Sequence, residues 1–495
     1  MPEDLAVKGR KEMNEHYSKV GLACLLILLL VAASDLALGQ GGYNDDRVII
    51  QGFMWESHQQ GKQKGCGGHE YEVDWQYKWY SHVKSQISEL ADAKFNLIWL
   101  PPPSQGEGAG YHPHEYYNFS NNYGDKVQHR DLLNALLKAG IEPVADIVIN
   151  HRNGTPGWAT FRNPCWPASY ICSTDEFWSQ DPNKMIEEDR QILVKGDKGA
   201  PDYSGSDYPY ATGARDLDHT NPCLREDIKT YLGKLKTFGY RGWRYDLVKG
   251  YDPKYVAEYD YASKPTFAVG EYWDGNANTL TWWVDQTKLE GQPDPAEKAC
   301  SAFDFAAYYQ LKEFINSGKY NHLPAITYKD GTYDGLIAIN KNKAVSFLEN
   351  HDTGFPKKQF DSFENNYKLM QGYAYILTHP GVPCVYWKHY FDWNRGNEIK
   401  KLIRARKYAG VHSGSYIKTE VHGDAYIAVV GDKPSDSSTL IVKIGPGFGF
   451  NPDSSVWELE TCGQDYAVWV RRSKKMEMKD KVDGPMPALE IPENP

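Results

Sequence analysis

Residues 242–250 read GWRYDLVKG. The stretch starts as an apolar β-type run and ends in charge, with Arg244, Asp246 and Lys249. Alternate side chains of a strand share a face, so Arg244 and Asp246 point the same way. Similar short runs recur along the chain: VIIQGF (48–53), NLIWL (96–100), PVADIVI (143–149), TFAVG (266–270), SAFDF (301–305), AVSFL (344–348) and PCVYW (383–387). Continuously apolar strands imply a sheet buried on both faces, which is a parallel sheet. Amphipathic stretches separate them, such as WYSHVKSQISELADA (79–93) and HRDLLNALLKAG (129–140), the second stopped by Gly140. Eight strands alternating with helices predict an α/β fold, a closed (β/α)8 TIM barrel, with GWRYD as its fourth strand.

Two regions break the alternation. About ninety residues separate Asn150 from Gly242. They are rich in Pro, Gly, Asp and Tyr up to about 215, and a helix over 222–238 fills the last part. A connection that long is a functional excursion, read as a small inserted domain after strand 3. Beyond about 410 the runs DAYIAVV, STLIVKIG and DYAVWVRR are β-rich and separated by turn residues, which predicts a C-terminal antiparallel β domain. The expected order is a leader and signal peptide (1–40), barrel (41–150), inserted domain (151–215), barrel (216–410), β domain (411–475) and a disordered tail (476–495).

The chain of 495 residues carries a net charge of -10 and no basic stripe, which excludes a nucleic-acid partner. VGLACLLILLLVAA (20–33), followed by small residues, has the pattern of a secretory signal cleaved near Gln40. It is short for a membrane span, so the expectation is a secreted, extracellular monomer without stable membrane association. The 8 cysteines form no CxxC pair, and Cys165 and Cys172 are close enough in sequence for a disulfide in an oxidising compartment. The count of 15 Trp and 35 Tyr supplies core area and flat faces suited to sugar rings.

In such a barrel the active site lies at the carboxyl ends of the strands. There the sequence puts Asp146, Asn150 and His151 on the third strand, Arg244 and Asp246 on the fourth, Glu271 after the fifth, and Asn350, His351 and Asp352 after the seventh. Carboxylates sharing one cleft repel each other, and retaining glycoside hydrolysis is a chemistry that needs them, as nucleophile and general acid/base. An arginine keeps the nucleophile ionised. Burial and the other acids keep the proton on the general acid.

The segments DIVINH, GWRYDLVKG, GEYW and FLENHD together resemble the four signature regions of the α-amylase family of retaining glycoside hydrolases. QGFMWE (51–56), WLPPPS (99–104), GYHP (110–113), RDLDH (215–219), GVPCVYW (381–387) and FDWN (391–394) are similar to its plant-type subgroup. The resemblance spans about 48–472 and implies endo-acting cleavage of an α-1,4-glucan polysaccharide. It implies Asp246 as nucleophile, Glu271 as general acid/base and Asp352 as transition-state stabiliser, with Arg244 tuning Asp246. His151 and His351 would donate to sugar hydroxyls and Tyr111 would stack, while Trp273 and Lys249 would lie on the leaving-group side.

The same resemblance implies a structural Ca2+ tying the inserted domain to the barrel. Asn150, Asp216 and the Gly250 carbonyl match, Asp207 is a further ligand, and Asp202 stays open because the loop length departs from the family. Two other functions are compatible with the pattern. A transglycosylase would use the same carboxylates, since sugar and water compete for one glycosyl-enzyme. A non-catalytic, membrane-anchored barrel would have no need of Asp246, Glu271, Asp352 and Arg244 together.

Overall fold

The strands that the apolar runs predict all form. In chain order they are β1 (Ile49–Gln51), β2 (Leu97–Leu100), β3 (Glu142–Ile147), β4 (Gly242–Tyr245), β5 (Phe267–Gly270), β6 (Ser301–Phe303), β7 (Ala344–Ser346) and β8 (Val382–Tyr386). Each pairs in parallel with its sequence neighbours, and β1 pairs with both β2 and β8, which closes the barrel. Their side chains are almost all buried, as the lack of polar alternation requires. The coordinates are a computed structural model describing residues 44–492 apart from 65–67, 69, 204–213, 293, 295–297, 329–330, 333, 355–362, 364–365, 432–437 and 448. The signal-like run lies outside the described residues.

Helices ring the barrel: α1 (Lys126–Lys138), α2 (Pro222–Phe238), α3 (Pro253–Ser263), α4 (Ala277–Gln286), α5 (Phe305–Ser317), α6 (Asn366–Thr378) and α7 (Gly396–Ala409). Their starts follow from local chemistry. Asp125 accepts from the Val127 and Gln128 amides at the head of α1, and Asn221 caps α2 in front of Pro222. The amphipathic stretch over 79–93 forms two helices, Trp79–Ser85 and Ile87–Asp92, broken at Gln86.

The excursion between β3 and β4 is largely irregular. A two-residue ladder, His151–Arg152 against Arg215–Asp216, ties its two ends together. After α7 comes a five-stranded antiparallel sheet: β9 (Tyr416–His422), β10 (Ala425–Gly431), β11 (Ser438–Ile444), β12 (Trp457–Gly463) and β13 (Tyr466–Arg471), in the order β9-β10-β11-β13-β12.

Two expectations are corrected. The segment read as a disordered tail forms α8 (Arg472–Asp483) followed by an extended strap. Charge holds the helix: Lys475 bonds Glu458 at 2.7 Å and Glu460 at 2.6 Å, and Asp483 accepts from Arg404 at 2.7 Å. The strap crosses the amino-terminal end of the barrel. Lys94 donates to Gly484 O (2.7 Å), Leu489 N–H to Leu137 O (2.8 Å) and Arg241 to Glu490 O (2.6 Å). Cys165 and Cys172 are both free thiols rather than a disulfide. Cys165 is exposed, whereas Cys172 is buried with its sulfur beside the Asp202 and Asp216 carboxylates.

Candidate active site

The register of β3, β4 and β5 assembles the centre. Arg244 is paired across the ladder with Asp146, so the two side chains start as neighbours. The ladder continues one residue past the strands: Asp246 N–H donates to Ile147 O and Glu271 N–H to Tyr245 O, both at 3.0 Å. The backbone itself therefore sets both carboxylates at adjacent strand ends. Arg244 Nη1 reaches Asp146 Oδ1 at 2.7 Å and Asp246 Oδ1 at 2.6 Å. Its Nη2 lies 2.6 Å from Glu271 Oε1, an ion pair too bent to count as a hydrogen bond. The guanidinium is fully buried and sits 4.8 Å from the centre of the Trp99 ring.

One cation thus faces three buried carboxyls, so the acids compete for it. Burial pushes Glu271 well above the usual carboxyl range; Arg244 opposes the shift, and Asp246, Asp352 and Asp146 add to it. Burial also raises Asp146, against the pull of Arg244. The chain turns sharply after Asp246: Leu247 adopts φ 47°, ψ 47°, a left-handed conformation uncommon for leucine. Its N–H points at Glu271 Oε2, 3.3 Å away.

A hydrogen-bonded wall adjoins this cluster. Gln51 donates to His351 Nδ1 (2.9 Å), which leaves the His351 proton on Nε2, 2.7 Å from the Tyr111 hydroxyl. Tyr111 passes its own proton to Asp146 Oδ2 (2.8 Å), which also accepts from Trp99 Nε1 (3.1 Å). Asp352 Oδ2 lies 3.3 Å from His351 Nε2. The rings of Trp55, Tyr111 and His351 are within 12° of parallel, forming a flat aromatic slab. Of the substrate contacts expected from sequence, the structure brings Tyr111, Arg244 and His351 into one network with Asp246, Glu271 and Asp352. Lys249 is held by Asp274 at 3.3 Å over the Tyr272 ring. Trp273 donates to the Tyr309 hydroxyl at 2.8 Å and stacks on Phe305. Lys249 follows β4 and Trp273 follows β5, each held by these neighbours. Gln51, Trp55 and Trp99 were not singled out from sequence. The signal for Gln51 was available, since it is a lone polar side chain inside an apolar strand.

His151 joins this site to the excursion. Its Nε2–H donates to Tyr111 O at 2.7 Å, and its Nδ1 faces the Asn150 amide nitrogen at 3.3 Å. Burial lowers the His151 pKa, which keeps the ring neutral. The Asn150 amide is thereby oriented with Oδ1 buried and without a hydrogen-bond partner. A Cβ on Gly250 would sit 1.7 Å from that oxygen, so only glycine fits there. Asp216 stands opposite His151 in the two-residue ladder. Its carboxylate, that of Asp202 and the Cys172 sulfur lie within 4.8 Å of one another. Burial, then the Asp202 charge, push Asp216 up to about 8. An orphaned amide oxygen and converging carboxyls fit a hard cation. The Cys172 thiol is a softer neighbour than such ions prefer; burial and Asp216 hold it protonated. Asp207 lies outside the described residues.

Among known families, the description "Alpha amylase, catalytic domain" matches residues 81–390, and "Alpha-amylase C-terminal beta-sheet domain" matches 408–470. A relative in Arabidopsis thaliana, named probable alpha-amylase 2, is 31% identical over 85% of this chain and 93% of its own length. Glucan 1,4-alpha-maltotetraohydrolase of Roseateles saccharophilus is 28% identical over 87% of this chain and 74% of its own. Among solved structures, an alpha-amylase from Malbranchea cinnamomea superposes with a TM-score of 0.55 at 16% identity, covering 88% of this chain and 96% of the other, which speaks to the fold alone.

Proposed function

The chain belongs to the α-amylase family, and from that premise we propose that it hydrolyses internal α-1,4-glucosidic bonds of starch-type glucans with retention of configuration. The observation that carries this reading is the single buried guanidinium shared by carboxyls at adjacent strand ends. Asp246, paired with Arg244 at 2.6 Å, attacks the anomeric carbon and forms an ester as the glycosidic bond breaks. Glu271, kept protonated by burial, gives its proton to the departing oxygen. It then takes a proton from the water that cleaves the ester, and the carboxylate of Asp246 is restored. Asp352 and His351 bond the sugar hydroxyls and favour the flattened, positively charged transition state. Tyr111 and Trp55 give the ring a flat wall, and neutral His151, whose one N–H is engaged by Tyr111 O, reaches a sugar hydroxyl by exchanging that bond for it. Lys249 and Trp273 serve the leaving-group sugars.

Calcium belongs to the same proposal. Asn150 Oδ1, the Asp216 carboxylate and the Gly250 carbonyl would hold it, with Asp207, and the ion would supply a rigid tie between the excursion and the barrel. Fixing Asn150 also fixes His151, which bonds it.

The test is incubation with soluble starch, resolving product lengths and the anomer first released. Short α-configured oligosaccharides are expected from the parent. Glu271→Gln should lose roughly 10²- to 10⁴-fold in kcat. Equal cleavage by that variant would overturn the acid assignment, and β-configured products would overturn retention.

A further inference from the structure

The turn that carries His351 and Asp352 rests on a buried relay. Asn350 Oδ1 accepts from the Asp352 and Thr353 amides, each at 2.9 Å, and Thr353 Oγ1 accepts from Asn350 N–H at 2.9 Å. Beneath this turn lies the Glu349 carboxylate. Its Oε1 accepts from Phe363 N–H at 3.1 Å, and its Oε2 lies 3.0 Å from His389 Nε2. A Cβ on Gly354 would come within 3.0 Å of the same Oε2, so the acid packs directly against the backbone that closes the turn. His389 belongs to the helical turn Trp387–Tyr390 after β8. Its Nδ1 is 2.7 Å from the Tyr373 hydroxyl, which accepts in turn from Tyr386 N–H at 3.3 Å. That order fixes the protons. Tyr386 N–H donates to Tyr373, Tyr373 O–H donates to His389 Nδ1, and His389 Nε2–H donates to Glu349. Glu349, His389 and Tyr373 are all buried, the last two completely.

A carboxylate in such a place is costly unless it is paired, and its pairing couples α6, the end of β8 and the turn after β7. We propose that Glu349 and His389 are positioning residues, whose relay fixes the turn so that Asp352 meets the sugar at the distance the transition state needs. The proposal rests on the reading of Asp352 as transition-state stabiliser. Neither residue touches the sugar; each acts through the turn backbone.

Three variants test it on soluble starch, well below each variant's Tm. Glu349→Ala frees the turn, and kcat should fall roughly 10- to 100-fold with KM nearly unchanged, because the misplaced group works in the transition state. Glu349→Gln keeps one acceptor oxygen in place of two, facing either His389 Nε2–H or Phe363 N–H, so kcat should fall between those of Glu349→Ala and the parent. Tyr426→Phe is the stability control: it removes a buried bond to His379 (2.6 Å) under the C-terminal sheet and should lower Tm while leaving kcat alone. A parental kcat in Glu349→Ala overturns the proposal. So does a kcat loss in Tyr426→Phe matching that of Glu349→Ala, since instability alone would then explain both. If Glu349→Ala does not fold, Tyr373→Phe decides, because it deletes one hydroxyl; a lower kcat at constant KM supports the relay and an unchanged kcat overturns it. Asp352→Asn in the same assay separates the two readings: if it retains parental kcat, the role of Asp352 falls rather than the relay alone.

Discussion

Arg244 is where charge and stability meet. It forms ion pairs with Asp146, Asp246 and Glu271, and removing one partner of a buried ion pair costs about 3–5 kcal/mol because the remaining charge stays buried. Arg244→Leu should therefore lower Tm, and the loss should depend on pH. Asp146 and Glu271 both hold their protons above the ordinary carboxyl range in the folded state. Their contribution to stability is fully present below the ordinary carboxyl pKa and is lost as pH rises through the folded values. Arg244 opposes both shifts, so its removal pushes these carboxyls further up. The Tm deficit of Arg244→Leu should widen from mildly acidic to neutral pH; a deficit constant across that range would show that Arg244 is neutralised by other means. Lysine is no substitute, since a point charge cannot span three acceptors as the planar fork does.

At the scale of elements, the strap offers the clearest prediction. Deleting residues 484–492 removes three N–H···O hydrogen bonds to the barrel base, each worth about 1 kcal/mol, and a weaker one from Asn96 to the Met486 sulfur. Thermal unfolding should start lower by an amount equivalent to about 3 kcal/mol, while starch cleavage at room temperature persists because the site is at the opposite end of the strands. An unchanged Tm would mean that the strap contributes nothing. The strap also marks what the sequence leaves unreadable. The barrel strands are legible because each is a short, mostly apolar run without polar alternation, set between amphipathic stretches. RSKKMEMKDKVD of α8 has no comparable stripe; Val482 is its buried hydrophobic, Met478 packs against the core, and ion pairs anchor the rest. Apolar periodicity is blind to a helix held by charge. The site divides in the same way. Acids at strand ends stand out against apolar neighbours, so Asp246, Glu271 and Asp352 are visible. Trp55 and Trp99 look like core, and Glu349 looks like one more loop acid, until folding shows which polar group each one meets. Cys172 gives the reverse case: its spacing from Cys165 suggested a bond, and the fold turns its sulfur toward two carboxyls instead.

For the molecule as a whole, the proposed calcium joins segments far apart in sequence, since Asn150 follows β3, Asp216 closes the excursion and Gly250 follows β4. An ion that binds only the folded state adds about 2.7 kcal/mol when present at a hundred times its Kd. A chelator should thus lower Tm and starch cleavage together, and added calcium should restore both; an unchanged midpoint would remove the ion from the account. The strap has another consequence, in time rather than energy. Lys94 and its acceptor at Gly484 are 390 residues apart. The barrel closes only once β8 is made, so at about 5–20 residues per second of translation its base waits roughly 5–20 s for that carbonyl. Through that interval the amino-terminal rims of β2, β3 and β4 lack their last cover. The face opposite the chemistry is therefore the last part of the barrel to be covered as the chain is made.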